Sequence, residues 1–463
     1  MLRYPIEAPR KQGAPLIEGC PCFLDPDPEI IALTQNSQPV DTVIVMETVP
    51  IRFGVGATEE LGYELNRRRL TRVLLVTDPH LVTTGLPDRV EALMREAGVA
   101  VEVFDQVHCE PTDRSIQAAL AFQQGKEIDG YVALGGGSCI DTAKAMNLYG
   151  TYPAPLLTYI NRPIGEGEPI PGPLKPLIAI PTTAGTGSES TSVLIMDLAD
   201  LHLKTGVSHS YLRPTVGIID PLNTLSMPPI VTASCGLDVL CHALESYLSL
   251  PHNVRPRPSS PANRAPYIGA NPIADLFSVR AIELAGRYLR RAYFNPHDME
   301  ARTQMALAST LAGFGFGNAG VHIPHAMGYP VAGMVREFRA AGYPSQSKAQ
   351  VPHGMSCIVN APAAFRFTLP AQPERHAEAA ALLGEDTRSL SREEGGQALI
   401  SGLIRLMREL DMPNGLSALG YTEDDLPALV EGTLKQQRLL VNSPRPVGER
   451  DLLGIFRDAL RYW

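Results

Sequence analysis

Four side chains in this 463-residue sequence have the types that hold a divalent metal ion. Asp238 and His242 stand four residues apart in GLDVLCHALESYLS, which places both on one face of a helix. Ser234 and Gly236 suit a helix start just before them. His325 lies in GNAGVHIPHAMGYP and His353 in VPHGM. Three imidazoles and one carboxylate suit Fe2+ or Zn2+, whereas Mg2+ and Ca2+ prefer oxygen ligands. Taken singly, each residue has a plainer reading. Asp238 and His242 read as a surface or capping pair, and His325 as a core histidine. Spacing alone does not bring the four together.

Two loops have the composition of a phosphate cradle. Gly135, Gly136, Gly137 and Ser138 follow the apolar run YVAL and precede helical spacing. Glycines permit close backbone approach, and a helix N-terminus offers free N–H groups to an anion. Ser138 and Asp141 have the spacing of a capping box. The loop is neither a Gly-Lys-Ser/Thr phosphate loop nor the G-x-G-x-x-G fingerprint. The second loop, PTTAGTGSE at 181–189, carries the small hydroxyls Thr182, Thr183, Thr186 and Ser188. Two such loops at strand ends favour a dinucleotide across a crevice. Asp78, after RVLLVT, could accept from a ribose hydroxyl and so favour NAD over NADP. The plainer alternatives are a tight turn for the glycines and a turn cap for Asp78.

These residues need elements to hold them. Strands are predicted at TVIVM near 42–47, at 72–78, 101–105, 131–138, 176–183 and 216–221. Helical spacing falls between them at 86–98, at 113–124 and from 140. Alternating strands and helices imply a parallel, doubly wound sheet. Residues 151–175 read as a long Pro/Gly-rich excursion. From about 226 only helical spacing remains, at 234–250, 272–292, 299–315, 373–384, 396–410, 424–434 and 449–461. The expected organisation is an irregular arm at 1–40, an α/β dinucleotide domain at 41–225 and a helical metal-binding domain at 226–463.

Composition limits the function. Apolar residues make up 44% and charged residues 19%, enough for large cores. Forty basic against 49 acidic residues give a net charge of −9, which argues against a nucleic-acid partner. No run of 18 apolar residues suggests a membrane span. Seven irregularly spaced cysteines read as reduced structural thiols. The N-terminus lacks the pattern of a signal or transit peptide, so the expected compartment is the cytoplasm.

GGGSCIDTAK, PTTAGTGSE, IIDPLNTLSMPP, GLDVLCHALESY, NAGVHIPHAMGYP and VPHG occur in an order that resembles the iron-containing (group III) alcohol dehydrogenases. The resemblance runs from about 42 to the C-terminus. It implies a Rossmann-like domain followed by a helical one, in the architecture of dehydroquinate synthase. It carries Asp238, His242, His325 and His353 over as ligands of Fe2+, with Zn2+ also fitting. On the NAD side it carries over Gly135 to Ser138, Thr182, Thr183, Thr186 and Ser188, and matches Asp78 and Lys204. The segments YINRPIGEGEPIPGPLKPLIAIPTTAGTGSES, IGANPIAD and HAMGYP are most similar to its hydroxyacid-oxoacid transhydrogenase branch. Ordinary members carry a second histidine where this chain has Tyr329. His322 and Tyr329 are therefore the candidates for its proton-relay role, against core packing.

The branch implies hydride transfer from a hydroxyacid such as 4-hydroxybutyrate to a 2-oxoacid such as 2-oxoglutarate. It also implies a homodimer and, for an animal source, the mitochondrial matrix. Anionic substrates need a local cationic pocket, for which Arg336, Arg339 and Lys348 are the sequence candidates. Three rivals remain: an ordinary alcohol dehydrogenase that releases NADH, a dehydroquinate-synthase-like lyase, and a non-enzymatic binding protein.

Overall fold

The computed structural model describes residues 40–199, 203–343 and 349–463. Almost all of the predicted arm, and Lys348, lie outside that range. Eight strands are formed: β1 (Ile51–Phe53), β2 (Arg72–Val76), β3 (Ala100–Phe104), β4 (Gly130–Gly135), β5 (Leu177–Pro181), β6 (Val193–Leu198), β7 (Leu203–Ser208) and β8 (Val216–Ile219). Six of them make one parallel sheet in the order β1-β8-β5-β4-β2-β3. Helices α1 (Leu61–Arg67), α2 (Pro79–Val82), α3 (Leu86–Glu96), α4 (Asp113–Gln123) and α5 (Gly137–Thr151) connect them.

The sheet is buried on both faces. Val73, Leu75, Val132, Leu134, Ile178 and Ile180 enter one core. Their strand neighbours Leu74, Val76, Tyr131, Ala133, Leu177 and Ala179 enter the other. Side chains of a strand alternate in direction, so a strand covered on both sides must be apolar at every position. That is why VLLV (73–76), YVAL and LIAI are continuous apolar runs. Chain direction along the sheet reverses between β2 and β4, and this switch point is where crevices open. Gly135 pairs in register with Pro181, so both candidate loops leave the sheet at the same level.

The second half is helical: α6 (Pro229–Tyr247), α7 (Pro272–Phe294), α8 (Met299–Ala319), α9 (Ile323–Gly333), α10 (His353–Ile358), α11 (Ala361–Thr368), α12 (Pro373–Leu383), α13 (Arg392–Glu409), α14 (Leu426–Leu434), α15 (Gln437–Leu440) and α16 (Glu449–Asp458). They share one large apolar core. The loop after β5 packs directly on these helices. A Cβ on Gly187 would lie 3.0 Å from the Cα of Gly313 in α8. A Cβ on Gly185 would lie 2.8 Å from that of Cys235 in α6. Glycine is needed at both points for the loop to reach the helices.

Four expectations are corrected. Residues 41–50 form no strand, and Val43 and Val45 are exposed; their β-branched propensity finds no neighbouring strand. The antiparallel hairpin β6–β7 was not expected, because Asp197 and Lys204 interrupt its apolar pattern. Helix α6 begins at Pro229 rather than near 234, with proline in its first turn. Ser138 and Asp141 form no capping box: α5 is capped at Gly136, with no side-chain bond, and Asp141 faces inward.

Candidate metal and dinucleotide site

Asp238 and His242 lie one turn apart on α6, both buried. His325 comes from α9, and His353 is the first residue of α10. The tertiary structure brings these separated segments together. His325 Nε2 lies 3.6 Å and His353 Nε2 3.8 Å from Asp238 Oδ1, and His242 Nδ1 lies 3.9 Å from Asp238 Oδ2. The His242 ring stacks on His325 at 4.5 Å and on Phe316 at 3.9 Å.

These separations are too long for hydrogen bonds. Two ligands each about 2.1 Å from one tetrahedral ion would sit roughly 3.4 Å apart, close to what is seen. Asp238 Oδ1, His242 Nδ1 and His325 Nε2 are buried with no hydrogen-bond partner. Orphaned buried acceptors are costly, and a cation would satisfy all three. The donor set therefore fits a divalent transition metal. Against the effect of burial, His242, His353 and His325 hold the Asp238 carboxyl well below the usual range. Burial pushes His242 down to about 3, which keeps it neutral, as a ligand must be.

Among the described residues, Asp238, His325, His353 and Cys357 form a group whose ligand-type atoms all lie within 4.8 Å of one another. His242 falls outside that group although it touches Asp238. Cys357 follows His353 by one turn, and its sulfur lies 4.0 Å from both ring nitrogens. The sequence reading passed over Cys357. It also passed over Glu245, fully buried two turns after Asp238 on α6. One Glu245 oxygen meets His325 Nδ1 at 2.5 Å; the other accepts from the backbone N–H of His322 at 2.7 Å and of His325 at 3.4 Å. With Nδ1 engaged by Glu245, Nε2 is the nitrogen His325 can offer to an ion; despite burial, Cys357, Glu245 and Asp238 draw its pKa up, so an ion must displace a proton there.

The glycine loop opens α5 at the switch point. No side chain caps this helix, so its first amides are free for an anion. Gly137 packs so closely on Thr186 that a Cβ would lie 2.8 Å from its side chain, and a Cβ on Gly136 would lie 3.3 Å from Thr183. The backbone N–H of Thr182 donates to the carbonyl of Gly135 at 3.1 Å. The two loops thus form one wall. Buried Lys144 of α5, unmarked by the sequence reading, fixes the second loop. Its ammonium donates to the carbonyls of Ser188 at 2.8 Å, Thr191 at 3.2 Å and Val193 at 2.7 Å. The Ser188 hydroxyl donates to Asp141, which also accepts from the backbone of Ile195 at 3.0 Å.

Asp78 accepts from the backbone of His80 and Leu81 through one oxygen and so caps α2. Its other oxygen lies 3.5 Å from the Cys139 sulfur. The Ser138 hydroxyl accepts from the backbone of Glu110 at 3.0 Å. Lys204 of β7 is buried and paired with Glu110, which holds its ammonium above the usual range despite desolvation. Against the effect of burial, Lys204 and then His353 hold the Glu110 carboxyl below its usual range. A single carboxylate thus ties the sheet side of the cleft to a metal-type residue. The Gln436 side chain adds a second tie, donating to the Lys204 carbonyl at 3.3 Å.

The remaining candidates are placed as follows. Tyr329 is buried one turn after His325, its ring 6.3 Å from that of His353. The His322 ring packs edge-on to Phe365, and neither of its nitrogens has a partner. Arg336 is paired with Asp425 and 67% exposed. Arg339 lines a separate hollow of about 570 Å³ that includes none of the four metal-type residues.

Comparison with known proteins agrees with this geometry. Residues 49–221 match the model of iron-containing alcohol dehydrogenase, and residues 267–460 match the Fe-containing alcohol dehydrogenase family C-terminal model. The chain is 44% identical over 446 residues to the Bos taurus protein named hydroxyacid-oxoacid transhydrogenase, mitochondrial, covering 96% of each. The Homo sapiens protein of that name is 43% identical over 449 residues, covering 96% of this chain and 95% of the relative. A 1,3-propanediol oxidoreductase structure superposes with TM-score 0.79 at 31% identity, over 90% of this chain and all of the other. Sulfoacetaldehyde reductase from Bifidobacterium kashiwanohense, in complex with NAD+, gives 0.74 at 27% identity, over 91% and 99%.

Proposed function

Because the chain belongs to the iron-containing alcohol dehydrogenase family and is an oxidoreductase, we propose that it transfers hydride from a hydroxyacid to a 2-oxoacid. The donor in this reading is 4-hydroxybutyrate and the acceptor 2-oxoglutarate, giving succinate semialdehyde and 2-hydroxyglutarate. The observation that carries the choice is the near-full-length match to proteins named hydroxyacid-oxoacid transhydrogenase.

When bound, the divalent ion supplies a Lewis acid for the substrate hydroxyl, and the nicotinamide supplies the hydride acceptor and donor. Asp238, His242, His325 and His353 would hold the ion, with Fe2+ expected and Zn2+ also compatible. Gly135, Gly136, Gly137 and Ser138 would receive the NAD pyrophosphate at the open helix end. Thr182, Thr183, Thr186 and Ser188 form the facing wall, with Asp141 and Lys144 fixing its shape. Asp78 lies on the ribose side, and Lys204 orients Glu110. Tyr329 is our choice to pass the hydroxyl proton, since its ring lies beside His353. His322 is the weaker candidate, with its ring set against Phe365.

We read the change from sheet to helices near 225 as the boundary between the two domains. The exposed Val43 and Val45, in an extended segment, support a homodimer that pairs there. Light scattering should then give twice the chain mass; the mass of one chain would refute the dimer. Among the described residues no helix is long and apolar enough to cross a membrane. The word mitochondrial in the relatives' names supports a matrix location for an animal source, and the cytoplasm otherwise.

The test is purified enzyme loaded with Fe2+ and given 4-hydroxybutyrate and 2-oxoglutarate without free NAD. Many turnovers of 2-hydroxyglutarate per active site are expected. No product until free NAD is added, with NADH then released, would assign an ordinary alcohol dehydrogenase instead.

A further inference from the structure

We propose that Arg438 anchors the substrate carboxylate in both half-reactions. The inference rests on the transhydrogenase reading and adds to it a residue that fixes substrate class and length.

Arg438 lies on α15, partly exposed. Its guanidinium donates to the Tyr329 hydroxyl at 3.3 Å and stands 5.8 Å from the centre of the Tyr267 ring. Against the effect of burial, those two tyrosines hold its pKa above the usual range. No Asp or Glu pairs with it among the described residues. A half-buried guanidinium without a carboxylate partner is unusual, because charges drawn out of water are normally paired. Two other arginines of the helical half are occupied. Arg336 is bound to Asp425, and Arg255 donates to the Tyr267 carbonyl and to the Asn442 side chain. Arg438 keeps part of its five-donor fork for a carboxylate.

The position suits that role. Tyr329 bridges Arg438 and the metal cluster, with its hydroxyl on the guanidinium and its ring 6.3 Å from that of His353. Gln436, two residues earlier, is bound to the Lys204 carbonyl, so this segment is held against the sheet side as well. A short acid with its reacting carbon at the cluster would point its far end along Tyr329 toward Arg438.

The two substrates share a length that makes one anchor sufficient. In 4-hydroxybutyrate three carbon–carbon bonds, each about 1.5 Å, separate the reacting carbon from the carboxyl carbon. In 2-oxoglutarate three such bonds separate the reacting keto carbon from the distal carboxyl carbon. One fixed cation can therefore place both reacting carbons at the same point, as a hydride returned in place requires.

The test compares donor half-reactions, followed by NADH formation. One donor is 4-hydroxybutyrate and the other is 4-methylpentan-1-ol, an uncharged compound of nearly the same shape. In Arg438→Ala the ratio of kcat/KM, acid over alcohol, should fall about 30-fold, as loss of a charge-assisted contact implies. The KM for 2-oxoglutarate should rise by a similar factor. Arg438→Lys keeps the charge without the fork and should fall between the two. An unchanged ratio in both variants, or an equal loss on acid and alcohol, overturns the anchor. Wild-type enzyme that itself prefers the alcohol removes the transhydrogenase reading and the anchor with it. Wild-type enzyme that prefers the acid, with that preference intact in Arg438→Ala, removes the anchor alone.

Discussion

Asp238→Asn should leave a folded protein that purifies without its metal and turns over at least about 10³-fold more slowly, a loss of roughly 4 kcal/mol of barrier lowering. The substitution is nearly isosteric, so the packing of α6 survives. What goes is the one anionic ligand. His325 and His353 both direct Nε2 at Asp238 Oδ1, at 3.6 and 3.8 Å, and His242 approaches the other oxygen. Three neutral imidazoles without the carboxylate bind a dication far less tightly. Elemental analysis per chain, beside turnover, checks it; stoichiometric metal with normal turnover in the variant would refute the ligand assignment. Acidity should act in the same direction on the wild-type protein. Burial pushes His353 down, but Cys357 and Asp238 draw it up to about 9, so without an ion it carries a proton at neutral pH. Metal must displace that proton, and affinity should weaken as pH falls below about 9.

Glu245→Gln should lower metal affinity by about 10- to 100-fold while the melting temperature moves little. The amide oxygen can still accept from the backbone of His322, as the carboxylate does at 2.7 Å. The amide nitrogen then faces His325 Nδ1, where a carboxylate oxygen now sits at 2.5 Å. Two donors cannot share that contact, so the ring proton moves to Nε2, the nitrogen meant for the metal. Glu245→Ala separates this effect from loss of structure. It leaves the buried N–H groups of His322 and His325 without an acceptor, at about 1–3 kcal/mol each, and should also lower the melting temperature. Normal metal content and affinity in Glu245→Gln would show that the tautomer of His325 is not set by Glu245.

Legibility in the sequence followed burial. The central strands were readable because a strand covered on both faces is apolar along its buried length, as in VLLV and LIAI. Most helices of the second half carry an apolar stripe and were readable for that reason. Helix α9 was not, because Ile323 to Val331 are all buried and no stripe remains to detect. The four metal-type residues stood out by chemical type, although only the fold could show that α6, α9 and α10 converge. Glu245, Lys144 and Glu110 escaped because an isolated Glu or Lys normally reads as a solvated surface residue. For Glu245 a signal existed: positions 238, 242 and 245 share one helix face. Cys357 repeated the four-residue step from His353. Glu110 gave no such signal. It sits in a loop with φ 57°, an unusual conformation for a side chain of its kind.

Glu110 stands between a candidate cofactor-side residue and a candidate metal ligand. It pairs with Lys204 on the sheet side, and His353 on the helical side also draws its carboxyl down. Whatever orders Glu110 from one direction orders it for the other. If metal binding strengthens dinucleotide binding through Glu110, thermodynamic reciprocity makes dinucleotide strengthen metal binding by the same factor. In an enzyme that reuses its nicotinamide in place, such coupling would make the affinity for the coenzyme depend on the ion that activates the substrate.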